Sequence, residues 1–482
     1  MKVKSKRELV CLKRCSYLFF SLFRCFPLWS RCLLYSEQVS FTLYIETVGL
    51  DDPNCKKNIE MGSLEMLSRR TMSTDMPVMA QVNLLLLLYS EFVCVFCFYV
   101  TNTVGFCVQI RKLMAELTNP MSLAQGVVHW QPPQKALDKV KDVVLDPTVS
   151  SYGPDEGIPE LRQALQKKLR EENKLTKSAV MVTAGANQAF VNLVLILSDP
   201  GDSVVMFQPY YFNAYMAFQM TGVTNIIVGP AHPDTLYPDA DWLERTLSES
   251  KPTPKVVTVV NPGNPSGTYV PEPLLKRISK ICKDAGCWLI VDNTYEYFMY
   301  DGLKHCCVEG DHIVNVFSFS KTYGMMGWRL GYIAYSENLK GFARELVKIQ
   351  DNIPICASII SQRLAVYALE EGTGWITERV KGLVKNREIV KEALEPLGME
   401  NVKGGEGAIY LWAKLPEEHG DDFKAVRWLA HRHGVVVIPG SASGSPGHVR
   451  VSFGGLKEEE MRAAAERLRK GLEELVHLGM VE

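Results

Sequence analysis

Between residues 180 and 320 the apolar positions come in short unbroken runs, each closed by turn-forming residues. That rhythm predicts strands delivering their last residues into loops. The runs occupy 180–183, 203–207, 256–260, 287–291 and 312–317. Elsewhere the apolar spacing changes to three and four. Pro159 opens a helix predicted to run to about residue 173, with Leu161, Ala164, Leu165 and Leu169 on one face. A largely apolar helix, entered through 184–188, is predicted to reach about residue 197. Past Tyr335 long amphipathic stretches cover about 337–352 and 357–395. Strands are predicted at 408–413, 435–438 and 448–453, with a flexible loop at 440–447 and a closing helix over about 457–477.

The first 110 residues have a different texture. Residues 1–60 are rich in Lys, Arg, Ser, Cys and Phe, resembling an organelle-targeting peptide but lacking the apolar core and cleavage site of a signal peptide. They are predicted to be unstructured. At Met61-Gly62-Ser63 the sequence takes the form of a protein start, and 61–81 reads as an arm leading into a helix. Residues 82–109 then run almost wholly apolar, with five consecutive leucines, long enough for a membrane span. Yet 110–117 completes the helical pattern begun at Pro77 if 82–109 is removed. The block is therefore read as a translated intron, its Val and Gln edges matching GT and CAG boundary codons, with a membrane anchor as the competing reading.

Charge and cysteine content narrow the class without naming it. With 53 basic and 54 acidic residues, nothing global favours nucleic acid or an acidic membrane surface. Eight of the 13 cysteines precede residue 110, and no regular spacing suggests a disulfide framework, so a reducing, cytoplasmic setting is expected. Cys94 and Cys97 have redox or metal spacing but no partner pair. His431-Arg432-His433 lacks a completing acid or cysteine and is read as a solvated turn, so no metal site is predicted.

Chemistry concentrates at 318–331, where Ser-Phe-Ser-Lys is followed by Gly-Trp-Arg-Leu-Gly. A flexible amine such as that of Lys321 can form a Schiff base with a carbonyl carbon, while the Ser318 hydroxyl and the planar Arg329 guanidinium suit a phosphate. The cofactor carrying both an aldehyde and a phosphate is pyridoxal 5'-phosphate. Other segments fit it. The small residues Gly185, Ala186 and Asn187 start a helix, where free N–H groups and the dipole favour an anion. Asp292 ends a buried strand, where a carboxylate needs a positive partner and the pyridinium nitrogen would be one. Asn264 lies in a repeated Asn-Pro turn that can aim its amide, and Tyr295 follows Asp292 closely. Tyr211, between Tyr210 and Phe212, offers a flat face. Gly126 sits where backbone can approach a ligand, Trp130 is either a pocket wall or packed, and Arg450 is an arginine between valines suited to a carboxylate.

Taken in order from about residue 110 to the end, these motifs resemble the fold-type-I, class I/II aminotransferases, and among them the plant aromatic enzymes that use methionine as donor. Val128 and His129 depart from the family's Pro-Asp. The resemblance implies an α/β fold: a large cofactor-binding domain (151–345) with a mixed, mostly parallel sheet, and a smaller α+β domain from 110–150 and 346–482. It implies transfer of an amino group from an aromatic or methionine-type L-amino acid to a 2-oxo acid. Asn264 and Tyr295 would serve the ring oxygen, Tyr211 the ring face, and Gly126, Trp130, Asn264 and Arg450 the substrate. Tyr152 would reach the phosphate of a neighbouring subunit, which implies a homodimer. The rivals are a pyridoxal-dependent C–S or β-elimination lyase with the same residues, and a non-catalytic membrane-tethered relative.

Overall fold

Runs of Val, Ile and Leu without polar alternation can be satisfied only where both faces of a strand are covered, and the structure uses them that way. The computed structural model describes residues 30–37, 40–47 and 106–481. Strands β1 (Ser30–Glu37) and β2 (Ser40–Thr47) pair antiparallel. A hairpin thus occupies part of a segment predicted to carry no element; its Leu, Tyr, Phe and Ile content suits a strand. The rest of 1–60, the 61–81 arm and 82–105 lie outside the described residues. The Phe106–Glu116 helix takes in the last four residues of the apolar block. Among the described residues no helix is long and apolar enough to cross a membrane.

From residue 105 onward the chain forms a separate compact unit. After the short β3 (Met121–Ser122) come β4 (Ser178–Thr183), β5 (Ser203–Phe207), β6 (Asn225–Gly229), β7 (Val256–Val260), β8 (Trp288–Asp292), β9 (Ile313–Ser318) and β10 (Gly331–Ser336). The last seven make one sheet in the order β4-β10-β9-β8-β7-β5-β6. The neighbouring pairs from β9 across to β6 are parallel, and β10 runs against both β9 and β4. Successive side chains point to opposite faces. Val204 and Met206 therefore pack with Phe190 and Leu193 of the Ala186–Leu197 helix. Val205 and Phe207 pack on the other face with Leu243 and Ile278, from the Ala240–Glu249 and Glu272–Asp284 helices.

A second sheet follows, from β11 (Val402–Gly404), β12 (Tyr410–Lys414), β14 (Ile438–Pro439) and β15 (His448–Ser452), in the antiparallel order β11-β12-β15-β14. The predicted 435–438 strand is two pieces. Its first, β13 (Val435–Val436), pairs parallel with β3, while β14 pairs with β15. The predicted 357–395 helix likewise divides into Ile359–Glu370 and Gly372–Leu394, at Gly372 with φ of 70°. Apolar periodicity alone ran through that break, because a left-handed glycine leaves the spacing intact. The His431–His433 stretch is not a turn: it ends the Asp422–His433 helix, and Arg432 and His433 both meet Glu474. The 440–447 loop begins as a 3-10 turn at Gly440–Ser443. The five cysteines from Cys282 onward are all free thiols.

Candidate active site

One edge of the large sheet collects the chemistry. Gly331 at the start of β10 pairs with Ser318 at the end of β9 and with Thr183 at the end of β4. The loops leaving β4 and β9 and the loop entering β10 thus open on the same side as the carboxyl ends of β5, β7 and β8. This edge is where ligands bind in open α/β sheets.

Lys321 lies just past β9, with no hydrogen-bond acceptor for its amine among the described residues. Burial, then the like charges of Arg329 and Arg450, bring its pKa down from the ordinary 10.5 to about 8, against the opposing pull of Asp292. Asp292 is 9% exposed and joins no ion pair among the described residues. One of its oxygens accepts the Thr294 N–H at 2.9 Å. Burial raises its pKa, partly offset by Thr294 and Lys321.

Arg329 reaches the start of the Ala186–Leu197 helix. Gly185 holds φ of 88° there, and a Cβ on it would overlap the Arg329 guanidinium. The helix has no acid in its first turn and no side-chain cap, so its leading N–H groups are left to suit an anion, with the Arg329 guanidinium alongside. The Ser318 hydroxyl accepts from the Ser320 N–H at 3.1 Å, which leaves its own proton to donate. Tyr211 accepts from Asn213 at 2.9 Å and donates to Asn187 at 3.3 Å, whereas Tyr210 stacks on Tyr215. Of the neighbouring aromatics the sequence left open, Tyr211 is hydrogen-bonded to Asn187 at the start of that helix.

Arg450 projects from β15 and is 4% exposed. Its Nη1 donates to Asn264 Oδ1 at 2.9 Å and its Nη2 to the Ala124 carbonyl at 2.6 Å, while Nε has no partner. With Oδ1 engaged, the Asn264 amide nitrogen is the end that can donate to a ligand. The Tyr295 hydroxyl is hydrogen-bonded to that of Tyr410, over whose ring Arg450 lies at 4.4 Å. Burial and Tyr410 push the Tyr295 phenol well above its ordinary range.

Two predicted residues sit differently from the rest. Trp130 is packed, stacked on Phe298, with its indole N–H 3.4 Å from the Thr322 carbonyl; it supports the lysine loop from behind. Tyr152 is 81% exposed and makes no hydrogen bond or ring contact among the described residues.

Residues 118–468 match the profile of the family described as aminotransferase class I and II. The chain belongs to that family. It is 82% identical over 422 residues to aromatic aminotransferase ISS1 of Arabidopsis thaliana, a match covering 88% of this chain and all of the relative. A more distant relative is the aspartate/prephenate aminotransferase of Thermus thermophilus, 29% identical over 67% of this chain and 83% of its own. Among solved structures, the aromatic aminotransferase of Pyrococcus horikoshii superposes with a TM-score of 0.68 at 26% identity, covering 76% of this chain and 99% of that one. A Thermus thermophilus aspartate aminotransferase variant complexed with tryptophan gives 0.69 at 25%, covering 76% and 95%.

Class I and II aminotransferases work with pyridoxal phosphate, and the donor set here fits it. A buried carboxylate lacks a cation, a buried amine lacks an acceptor, and an uncapped helix start adjoins a guanidinium.

The sequence reading missed two groups. Tyr410 looked like an interior strand residue, and only the β12–β15 register, pairing Tyr410 with Ser452 and Trp412 with Arg450, makes it the diagonal neighbour of Arg450. The buried pair of Lys168 and Glu296, 2.8 Å apart, was also unforeseen. Spacing held the signal, since Lys168 follows Leu161 by seven and Leu165 by three and so falls on the helix's apolar face.

Proposed function

We propose that this aminotransferase moves the amino group of an aromatic or methionine-type L-amino acid to a 2-oxo acid. The high identity to a plant aromatic aminotransferase supports the donor class. The observation that carries the chemistry is the convergence of the Lys321 amine with Asp292, Arg329 and Arg450 at one sheet edge.

When bound, pyridoxal phosphate supplies an aldehyde carbon and a ring that accepts the electrons of a breaking C–H bond. Arg329, Ser318 and the N–H groups of Ala186 and Asn187 would hold its phosphate. Asp292 would take the ring nitrogen, and Asn264 and Tyr295 the ring oxygen. Tyr211 would cover the ring face. Arg450 binds the substrate carboxylate and so fixes the direction of the Cα–H bond, with the Gly126 loop beside it. Lys321, once neutral, takes the proton from that carbon and returns it. An exposed Tyr152 suits service to the site of a second copy of this chain, which supports a homodimer.

We place the large domain at 151–345 and the small domain at 110–150 with 346–482. The pairing of β3 with β13 supports joining the two stretches. A cytoplasmic setting is consistent with the five free thiols. Enzyme beginning at Met61, where the sequence takes the form of a protein start, is also proposed.

A panel of amino donors with and without 2-oxo acids tests this reading. Turnover should require the oxo acid and favour aromatic amino acids and methionine. Turnover without it would point instead to a lyase. Lys321→Ala should lose at least about a thousandfold in transamination and retain no cofactor after borohydride reduction. Near-native turnover would overturn the assignment.

A further inference from the structure

The Tyr295–Tyr410 pair raises a question of proton supply. A phenol has one proton to give, so Tyr295 can donate to a ligand only while it accepts from its neighbour. Tyr410 is fully buried in β12, and three contacts hold it in position. Its hydroxyl meets that of Tyr295, and its ring face lies under the Arg450 guanidinium. Its hydroxyl also rests against Gly126, where an added Cβ would overlap it. The close approach that glycine permits at position 126 is therefore to Tyr410. One side chain thus touches the proposed ring-oxygen donor, the proposed carboxylate-binding arginine and the loop beside the substrate.

We propose that Tyr410 is a positioning residue with two separable tasks: its hydroxyl donates to Tyr295, freeing that phenol's proton for the cofactor oxygen, and its ring is the platform on which Arg450 lies. The proposal rests on the aminotransferase reading above and extends it to a residue that reaches neither reacting atom.

The hydroxyl and the ring can be removed one at a time. A phenol that accepts a hydrogen bond becomes the stronger donor, and a hydrogen bond given to an anionic oxygen favours its charged form, so losing the Tyr410 hydroxyl weakens the Tyr295 donor and raises the pH of the cofactor titration. Tyr410→Phe keeps the platform and loses the hydroxyl. It should raise the midpoint of the visible-absorbance pH titration of the loaded enzyme by at least about half a unit and lower kcat roughly fivefold, the size of one hydrogen bond. KM for the amino donor should stay within about twofold. Tyr410→Leu loses the platform as well, and KM should then rise at least about fivefold. Because the hydroxyl acts through Tyr295, Tyr295→Phe/Tyr410→Phe should titrate with the midpoint of Tyr295→Phe alone. A Tyr410→Phe midpoint equal to wild type would overturn the proposal, as would additive shifts in the double variant. If the wild-type enzyme itself shows no titrating band and no transamination, the broader reading has failed instead.

Discussion

Lys321 is the most unusual residue chemically. A lysine at its ordinary pKa of 10.5 is almost entirely charged at neutral pH, and a charged amine is neither nucleophile nor base. Burial beside Arg329 and Arg450 brings this one to about 8. The sign is fixed: desolvation and like charge both disfavour the cation, so the neutral fraction rises about tenfold per pH unit below 8 and levels off above it. The rate of borohydride-trappable cofactor attachment to the apoprotein should follow that curve, with a midpoint near 8. Arg329→Gln removes a like charge and should move the midpoint up; Asp292→Asn removes an opposite charge and should move it down. A rate still climbing steeply at pH 10 would refute the environment described here. Arg450 is comparably specific, because Asn264, Ala124 and Tyr410 fix its plane and leave Nε unpartnered.

Among the secondary-structure elements, the Pro159–Glu171 helix is tied to the loop after β8 by a buried charge. Lys168 donates to both Glu296 oxygens and to Asn173 Oδ1, each at 2.8 Å, and Asn173 donates to Glu296 at 2.6 Å. Glu296 directly follows Tyr295, so this pair anchors the loop that carries the phenol. Lys168→Met leaves a buried carboxylate without its cation and should cost about 3–5 kcal/mol in chemical unfolding. Lys168→Met/Glu296→Gln should recover part of that loss, since the stranded charge is gone. Equal destabilisation in both variants would show that packing of the lysine stem dominates. The Ala186–Leu197 helix contributes differently: its start is left uncapped, and the cost of unsatisfied N–H groups there is offset when an anion binds.

For the whole molecule, the sheet edge gathers residues from five loops, after β4, β5, β7, β8 and β9, while Arg450 and Tyr410 come from the second sheet. Sedimentation should give a dimer, and if the exposed Tyr152 serves a second copy, Tyr152→Phe should weaken cofactor retention about fivefold without changing the monomer fold. A monomer with full activity would remove the shared-site proposal. Protein starting at Met61 and lacking 82–109 should fold and turn over, because residues 78–81 would replace the first turn of the Phe106–Glu116 helix. The sequence alone determined the family, the central strands at 180–183, 203–207, 256–260, 287–291 and 312–317, and the motif residues that lie at their ends. Those properties are local: short apolar runs closed by turns, and a motif of fixed spacing around Lys321. Only the tertiary structure decided that Tyr211 bonds Asn187 at the helix start, that Trp130 is packed, and that the 357–395 helix breaks at Gly372. It alone placed Tyr410 between Tyr295 and Arg450. The Trp130–Phe298 and Tyr295–Tyr410 contacts join residues more than a hundred positions apart, which no local pattern of polarity can encode.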